Sequence, residues 1–239
     1  MRPGREHRTF GRVVAGAALV VSSPVLAAAA VAVKLSSRGP AIYRAKRVGR
    51  GGSEFTMFKF RTMRTAPAGS GGRITSGVDP RIFPVGRWLR RLKLDELPQL
   101  ANVVRGEMAI VGPRPEDPTI VADHYAPFML ETLEVLPGLT SPGSLQYYAE
   151  EEGDIPSDPD LAERHYAEVL LPRKIALDLV FVRNRSWRYE MELIVRTVAS
   201  LFGIRRPFAR RASWERAEAD AILRGVSSGP APWPAAVGA

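Results

Sequence analysis

The feature that most restricts the fold of this chain is an uncharged, apolar stretch at residues 13–33. These 21 residues, as a straight helix, are long enough to cross a bilayer core of roughly 30 Å. Ser22, Ser23 and Pro24 lie at the middle of the stretch, however, and a proline inside a helix removes a backbone donor and clashes with the preceding turn. The sequence therefore predicts a helix that bends or breaks at Ser23 and Pro24, where serine hydroxyls satisfy the freed backbone groups.

Basic residues flank both ends of this stretch. Because Lys and Arg are enriched on the cytoplasmic side of membrane helices, a helix that enters the membrane, bends and returns to the same face fits the pattern. Two other interpretations fit the stretch alone, namely a cleaved signal peptide and an ordinary signal-anchor helix. The flanking residues are Arg2, Arg5, Arg8 and Arg12 on one side and Lys34, Arg38, Arg44, Lys46 and Arg47 on the other.

Composition narrows the classes of partner and chemistry. The 239 residues carry a formal net charge of +9 with a pI of about 10.3, which favours partners that bear phosphate: nucleic acid, anionic lipid or phosphorylated small molecules. The chain has no cysteine, so disulfides, thiolate metal sites and cysteine nucleophiles are excluded. Its three histidines lack metal-ligand spacing, which argues against a histidine metal site or a Ser-His-Asp triad.

The rest of the chain predicts one mostly helical domain with a little β-structure. Alternating apolar residues predict a strand at 54–61, and a short apolar run predicts a buried strand at 108–111. Apolar residues at helical spacing predict helices. The predicted helices are residues 87–104, interrupted around 95–98, then 161–182 and 188–202, with loops at 66–72 and 150–160.

The C-terminal part is basic and then low in complexity. Four arginines surround Phe208 within residues 205–211, and Trp214 follows. A membrane-surface helix and an ordinary solvated basic face explain this segment equally well. Residues 227–239 are rich in Pro, Ala and Gly and are predicted to be disordered.

Asp95 and Glu96 form an acidic pair inside a run of cations. Taken alone, such a pair is most often a helix cap followed by a first-turn acid. Carboxylates surrounded by cations stay ionised, however, and can act as a nucleophile or as an oxygen ligand for Mg²⁺. The cations are Arg87, Arg90, Arg91 and Lys93 before the pair and Arg105 and Arg114 after it.

Two further groups are candidate phosphate ligands. Two prolines restrict the loop at residues 112–115, which orients Arg114 for a bidentate contact with phosphate, although a plain surface turn is an equal alternative. Lys59 and Arg61 alternate on one face of the predicted strand and form a second candidate phosphate contact. A solvated strand face is the simpler interpretation of those two.

These motifs, in this order, resemble the bacterial sugar transferases, the monotopic polyprenyl-phosphate phosphoglycosyl transferases. The resemblance rests on the apolar helix with a central Ser-Pro, on KRVGRGGSEFTMFKFRTM and on DPRIFPVGRWLRRLKLDELPQLANVVRGEMAIVGPRPE. It covers residues 13–142 and resumes at 177–197. Each motif is weak alone, and their joint occurrence is specific.

The resemblance implies a reaction and roles for residues. Such enzymes move a sugar-1-phosphate from a UDP-sugar to a polyprenyl (undecaprenyl) phosphate, release UMP, and initiate exopolysaccharide or O-antigen assembly. Asp95 matches the family nucleophile, which carries a covalent phosphosugar, and its carboxylate is also the predicted Mg²⁺ ligand. The dyad partner in this family assists the acceptor or positions Mg²⁺. Glu96 matches its dyad partner, Arg114 a residue near the nucleotide or phosphate, and Ser23-Pro24 the break of a re-entrant helix. The implied phosphate-binding residues are Lys59, Arg61, Arg87, Arg90, Arg91 and Arg114.

The implied fold is α+β and mostly helical: one cytoplasmic domain with a small sheet, embedded in one leaflet of the bacterial inner membrane by a re-entrant segment. Residues 1–38 then form the membrane segment, 39–204 the catalytic domain, and 205–239 the basic segment and tail. Nucleic acid is not an expected partner, and association into a homo-oligomer is left open. A membrane-anchored binding or regulatory protein without activity, and an exported basic protein, are the alternatives.

One segment departs from the family pattern. After residue 140 the chain continues SPGSLQYY, where many members have a Gly-rich segment leading to Gln-Val. This difference marks a subgroup. It bears on sugar specificity and on the shape of the substrate pocket, and not on the dyad.

Overall fold

The computed structural model describes residues 5–64, 79–150, 158–204 and 206–227. The loop predicted at 66–72, most of the loop predicted at 150–160 and the tail after residue 227 lie outside these ranges. The described chain is mostly helical, as the sequence predicts. Its α-helices are α1 Arg5–Val21, α2 Ser23–Ser36, α3 Pro84–Arg91, α4 Leu100–Arg105, α5 Pro118–His124, α6 Pro142–Glu150, α7 Pro159–His165, α8 Leu171–Arg183, α9 Trp187–Leu201 and α10 Ala209–Ser227.

The β-structure consists of two pairs of short strands within the described ranges. Strands β1 (Ile42–Val48) and β2 (Glu54–Phe60) form an antiparallel hairpin, and β3 (Ala109–Val111) runs parallel to β4 (Gly138–Thr140). The strands predicted at 54–61 and 108–111 are thus confirmed, except that β2 ends one residue before Arg61. The small sheet expected from the family is two small sheets.

Helices α1 and α2 form a bent pair. No single helix in the described ranges is long and apolar enough to cross a membrane, and the two segments that meet this criterion together, Thr9–Val21 and Ser23–Ser36, are bent by 61°. The break lies at Ser22, whose hydroxyl donates to the Leu19 carbonyl at 3.3 Å. Pro24 falls in the first turn of α2, where the missing N–H has no helical acceptor. The predicted break is confirmed, with Ser22 as the hinge.

The bent pair packs against the body with one face. Ala15 of α1 and Ala29 and Val33 of α2 are buried in clusters that they share with the hairpin, α3 and α4. The opposite faces carry apolar side chains that the protein does not cover, including Val21 at 80% and Leu35 at 84% exposure. The two helices therefore supply part of the core and also present an apolar outer surface.

Helix α8 is the centre of the body. Every residue from 174 to 181 is buried, including Lys174 and Asp178. A helix buried on all sides is packed by other elements around its circumference. Here the surrounding elements include α6, α10, the 3₁₀ segment Pro127–Glu134 and the π-helical turn Tyr166–Leu170 that joins α7 to α8.

Helix α10 packs on α8 and is joined to α9 by a buried ion pair. Arg196 of α9 donates two hydrogen bonds to Glu215 of α10, at 2.5 and 2.8 Å, and Tyr189 donates a third at 2.7 Å. The Arg211 guanidinium stacks over the rings of Tyr189 and Trp214. Arg211 and Trp214 therefore contact the protein and remain partly exposed, so both the membrane-surface helix and the solvated basic face stay predictions for this segment.

Candidate active site

The acidic pair lies on a tight 3₁₀ turn, Leu94–Gln99, which we call the dyad turn. Helix α3 ends at Arg91, and Lys93 adopts a left-handed backbone with φ of 56°, the one non-glycine residue in the described ranges with positive φ. This reversal turns Asp95 inward, where its exposure is 8%. The interruption predicted around 95–98 is confirmed and is longer, because the α-helix ends at Arg91 and resumes at Leu100. The capping interpretation of Asp95 is wrong, because Lys93 and Gln99 occupy the two N-cap positions.

Glu96 is held by two cations from distant parts of the chain. Arg114 Nη2 donates to its Oε1 at 2.7 Å, and Lys59 Nζ lies 3.4 Å from the same oxygen. Burial alone would raise the pKa of Glu96, but the charges of Arg114 and Lys59 outweigh it and hold that pKa well below its usual value. Glu96 is therefore a fixed anion at neutral pH.

Asp95 has the opposite environment. Its Oδ1 is buried and has no hydrogen-bond partner among the described residues. Burial, and then the negative charge of Glu96, raise the pKa of Asp95, and the opposing charges of Lys59, Lys93 and Arg90 do not reverse the shift. Because a carboxylate with little solvation and no donor is more basic than one held by cations, Asp95 is the more basic member of the dyad.

Lys59 reaches the site from β2. Burial lowers its pKa to about 8, although the charge of Glu96 acts in the other direction. The strand is joined to α4 by Asn102, which accepts from the Phe58 amide at 3.1 Å and donates to the Thr56 carbonyl at 2.7 Å. Asn102 is fully buried and fixes the position of Lys59 relative to the dyad turn.

The loop at 112–115 brings Arg114 to the dyad, as its prolines suggested. Gly112 approaches Gly138 so closely that a Cβ on Gly138 would lie 2.1 Å from the Gly112 nitrogen. The Gly112 amide donates to the Thr140 carbonyl at 3.0 Å, so the loop is attached to β4. The plain surface turn is therefore not what the structure shows.

The other predicted cations divide into near and distant groups. Arg90 donates to Thr62 Oγ1 at 2.9 Å, and its charge acts on Asp95. Arg87 and Arg91 are exposed on α3, where Arg91 stacks over Trp88, and no hydrogen bond joins either of them to the dyad within the described residues. The structure thus unites Asp95, Glu96, Lys59 and Arg114, with Arg90 nearby.

Arg61 is not part of this cluster. Its guanidinium donates to the hydroxyl and the carbonyl of Ser37 and, at 2.7 Å, to the Pro40 carbonyl. The predicted pairing of Lys59 with Arg61 is therefore wrong. Because β2 ends at Phe60, the alternation that placed the two side chains on one face does not continue to Arg61, which instead fastens the end of α2 to the body.

Three residues of the site were missed as site residues from the sequence. Lys93 forms the left-handed turn, and Asp178 accepts from the Arg114 amide at 3.2 Å. Gln99, the last residue of the dyad turn, is buried, and neither of its amide atoms is hydrogen-bonded within the described residues. The available signal for Asp178 was a pair of charged residues one turn apart, at 174 and 178, inside an otherwise apolar helix.

The dyad fits the Mg²⁺ that the sequence predicts at Asp95. Mg²⁺ is commonly bound by one or two carboxylates together with substrate phosphates. Within the described residues, no group of three or more His, Asp or Glu side chains is placed to hold a metal ion. The unpartnered Oδ1 of Asp95 suits a site of one carboxylate completed by phosphate oxygens, whereas Glu96 is engaged by Arg114 and Lys59.

The dyad turn, the bent helix pair and the loop at residues 112–115, which we call the arginine loop, all lie inside one sequence match. The model of the bacterial sugar transferase family matches residues 5–203. The chain belongs to this family. Helix α10 follows the matched region, so the Arg196–Glu215 pair joins the family fold to a segment outside it.

Curated relatives agree with this assignment. The chain is 35% identical over 201 residues to an undecaprenyl-phosphate glucose phosphotransferase of Komagataeibacter xylinus, covering 81% of this chain and 35% of the relative. It is 37% identical over 193 residues to a UDP-glucose:undecaprenyl-phosphate glucose-1-phosphate transferase of Caulobacter vibrioides, covering 79% of this chain and 67% of the relative. For the exopolysaccharide production protein ExoY of Rhizobium meliloti, the identity is 34% over 215 residues, covering 83% of this chain and 86% of the relative. The chain thus spans about a third of the first relative and most of the third.

Proposed function

We propose that this family member transfers a sugar-1-phosphate from a UDP-sugar to undecaprenyl phosphate and releases UMP. The names of the Komagataeibacter and Caulobacter relatives supply the substrate class. The observation in this chain that carries the proposal is the asymmetry of the dyad. One carboxylate, Glu96, is fixed by two cations, and the other, Asp95, offers a buried oxygen without a partner. Two adjacent acids in contrasting environments suit two different tasks.

In the first step, Asp95 attacks the phosphorus that bears the sugar. A carboxylate oxygen forms a bond to that phosphorus, the bond to the UMP oxygen breaks, and UMP leaves with the electron pair. The product is an acyl phosphate that joins Asp95 to the sugar phosphate. In the second step, an oxygen of undecaprenyl phosphate attacks the same phosphorus, and the Asp95 carboxylate leaves. The lipid then carries a diphosphate-linked sugar, and the enzyme is regenerated.

The cations around Glu96 are placed to stabilise the diphosphate. Arg114 offers a planar fork suited to phosphate oxygens, and Lys59 adds a second positive charge. Their pairing with Glu96 keeps the guanidinium and the ammonium group in the site before substrate binds. Mg²⁺ bound at Asp95 would supply further positive charge to the phosphate oxygens.

The outer surface supports placement at a membrane. The exposed apolar faces of α1 and α2 match a helix pair that enters one leaflet and returns to the cytoplasmic face of the inner membrane, with basic residues at both ends. Phe10 of α1 packs edge-on against Trp187, which begins an exposed apolar stripe along α9. The stripe comprises Trp187, Met191, Val195, Val198, Leu201 and Phe202. The proposed placement would leave the dyad accessible to a lipid phosphate at the membrane surface.

The Asp95→Asn variant tests the nucleophile. Incubation with a UDP-sugar but no lipid acceptor should add one sugar-phosphate to the wild-type peptide that contains Asp95, as seen by mass spectrometry. The variant should show no adduct and a fall in UMP release of at least about 10³-fold, because an amide cannot form the acyl phosphate. A panel that includes UDP-glucose and UDP-N-acetylgalactosamine identifies the donor.

Asp117→Asn is the matched control. Asp117 caps α5 and pairs with Arg47, and Asn is an equally good N-cap, so this variant should keep wild-type UMP release. Full activity in Asp95→Asn would refute the covalent mechanism. Absence of UMP release from every donor by the folded, membrane-bound wild type would refute the transferase assignment and favour a binding protein.

A further inference from the structure

The loop that carries Arg114 is held from below by two charged residues of α8. Lys174 and Asp178 are one helical turn apart and are 4% and 0% exposed. Burial of a charge costs several kcal/mol unless partners compensate it. The residues that pair with Lys174 and Asp178 therefore indicate which part of the structure these two buried charges support.

The Asp178 carboxylate joins the arginine loop to α6. Its Oδ2 accepts from the Arg114 amide at 3.2 Å, and its Oδ1 accepts from the Gly143 amide at 2.9 Å. Gly143 has no room for a side chain, because a Cβ there would lie 2.7 Å from Asp178 Oδ1 and 2.5 Å from the Lys174 carbonyl oxygen. One carboxylate thus fixes both the loop and the segment at which this chain departs from its family.

Lys174 fixes the other end of the same loop. Its ammonium group pairs with Glu116 and contacts the Tyr166 hydroxyl, which also donates to Glu116 at 2.9 Å. Burial opposes ionisation of Glu116, yet the charge of Lys174 holds its pKa below the usual value. The loop from Arg114 to Glu116 is therefore attached to α8 at both ends.

Arg114 is consequently held at two points. Its backbone amide is bound by Asp178, and its guanidinium is bound by Glu96. We propose that Asp178 is a positioning residue for the transferase reaction: by binding the Arg114 backbone, it fixes the reach of the guanidinium to Glu96 and to the sugar-nucleotide diphosphate. This inference rests on the proposed function for its substrate, and on the contacts of Asp178 for its geometry.

The competing explanation is that Asp178 only stabilises the start of α6. In that case, the effect of losing Asp178 on activity would be the same whether or not Arg114 is present. The charge state supports the positioning role: burial raises the pKa of Asp178 to about 6, so the group is ionised at neutral pH at a cost to stability. Groups retained at such a cost are common where function requires them.

A double-mutant cycle separates the two explanations. Asp178→Asn should lower kcat/KM for the UDP-sugar by about tenfold to a hundredfold, since a displacement of about 1 Å has that effect on a positioned group. In an Arg114→Ala background, whose residual UMP release is measured at high enzyme concentration, the same change should alter kcat/KM by less than about twofold. The donor is whichever of UDP-glucose and UDP-N-acetylgalactosamine the wild type accepts.

Glu215→Gln is the control for loss of a buried carboxylate. Glu215 is equally buried, and its hydrogen bonds serve the α9–α10 contact instead of the dyad. Its activity per folded molecule should stay within about twofold of wild type in both backgrounds. Equal losses from Asp178→Asn in both backgrounds, or no loss in the wild-type background, would overturn the positioning role.

Two measurements keep this test decisive. If Asp178→Asn does not fold, Asp178→Ser, which is smaller and keeps an acceptor, should give the same non-additivity. If the wild type releases no UMP, the proposed function fails, and amide hydrogen exchange then judges the inference by itself. Exchange at Arg114 and Gly143 should accelerate in Asp178→Asn and not in Glu215→Gln, and unchanged exchange would sink the inference.

Discussion

Asp95 and Glu96 are adjacent in the chain, yet their carboxylates differ in every property that decides reactivity. The cations converge on Glu96, and Asp95 keeps a buried oxygen without a partner. The sequence indicated cations around the pair but not how they divide. That division depends on Lys59, which is 37 residues away, and on Arg114, which is 18 residues away. Contacts across such separations are set by packing and leave no local pattern.

Single residues also show where sequence inference fails. Lys59 and Arg61 look equivalent in FKFRTM, and one belongs to the dyad cluster while the other binds the end of α2. The difference arises because the strand ends between them. The family resemblance placed the dyad and Arg114 correctly in one cluster, and it gave no indication of the support from Asp178.

Asp178 yields a prediction about stability and pH. Its pKa of about 6 in the folded protein lies above the ordinary value of 3.8, so the folded state holds an extra proton between these two pH values. The contribution of Asp178 to stability is therefore greatest below pH 4 and is lost as pH rises through 6, by about 3 kcal/mol. Denaturant unfolding in detergent at several pH values measures this loss. The free energy of unfolding of the wild type minus that of Asp178→Asn should fall as pH rises.

Asp117→Asn gives a control of opposite sign. Hydrogen bonds from Thr119 and the charge of Arg47 overcome the effect of burial and lower the pKa of Asp117, so its contribution grows as pH rises and is lost in acid. A wild-type-minus-Asp178→Asn difference that rises with pH, or does not change, would show that the Asp178 carboxyl is not destabilised by burial.

At the scale of elements, periodicity predicted helices well and their orientation poorly. The helix predicted at 188–202 is present as α9, but much of its apolar stripe faces outward, while Arg196 is buried. An apolar stripe usually faces the core of a soluble domain. Here the buried partner of Arg196 is Glu215, in a segment that sequence reasoning did not join to α9. The buried face of α9 thus combines the core residues Tyr189 and Leu193 with one member of a long-range ion pair.

The bend between α1 and α2 gives a prediction about topology. Pro24→Leu should allow one longer, straighter helix, because the restored N–H can complete the helical ladder. Some chains should then place the N-terminus on the far side of the membrane. In intact cells, a cysteine tag at the N-terminus should react with an impermeant maleimide in this variant and not in the parent.

A substitution next to the proline provides the control for that experiment. Val25→Leu changes an exposed apolar side chain beside the bend and leaves the proline in place, so its tag should stay protected. Protection in Pro24→Leu as well would show that Pro24 does not determine the topology, and would assign the bend to packing of α1 and α2 on the body.

At the scale of the whole molecule, α10 follows the part of the chain that the family model matches. It packs along α8, and Gln146 of α6 lies within hydrogen-bonding distance of the Ala212 carbonyl, at 3.4 Å. Helix α6 and the helix that follows the family match are therefore in contact. The sequence of this segment shows only a basic, aromatic stretch. Its contact with α9 depends on the ion pair between Glu215 and Arg196, which are too far apart in the sequence to form a local pattern.

Removing one partner of the Arg196–Glu215 pair should lower stability, because the other partner is then buried without a counter-charge. Glu215→Ala leaves a buried guanidinium without its anion and should lower the free energy of unfolding by about 3–5 kcal/mol. The double variant Arg196→Met/Glu215→Leu removes both charges and should recover most of that loss. Chemical denaturation of purified protein in detergent measures both. A double variant no more stable than Glu215→Ala would mean that the ion pair itself, and not the unpaired charge, controls docking of α10.

The inner faces of the bent pair have a practical consequence for biochemistry. Ala15, Ala29 and Val33 complete core clusters that also contain residues of β1, β2, α3 and α4, and Arg61 ties the end of α2 to the hairpin. A shortened version that lacks these helices would open the hydrophobic interior next to the dyad turn. Purification strategies that trim the chain to gain solubility should therefore give aggregated, inactive material, and the intact polypeptide in nanodiscs or detergent is the appropriate sample for kinetics.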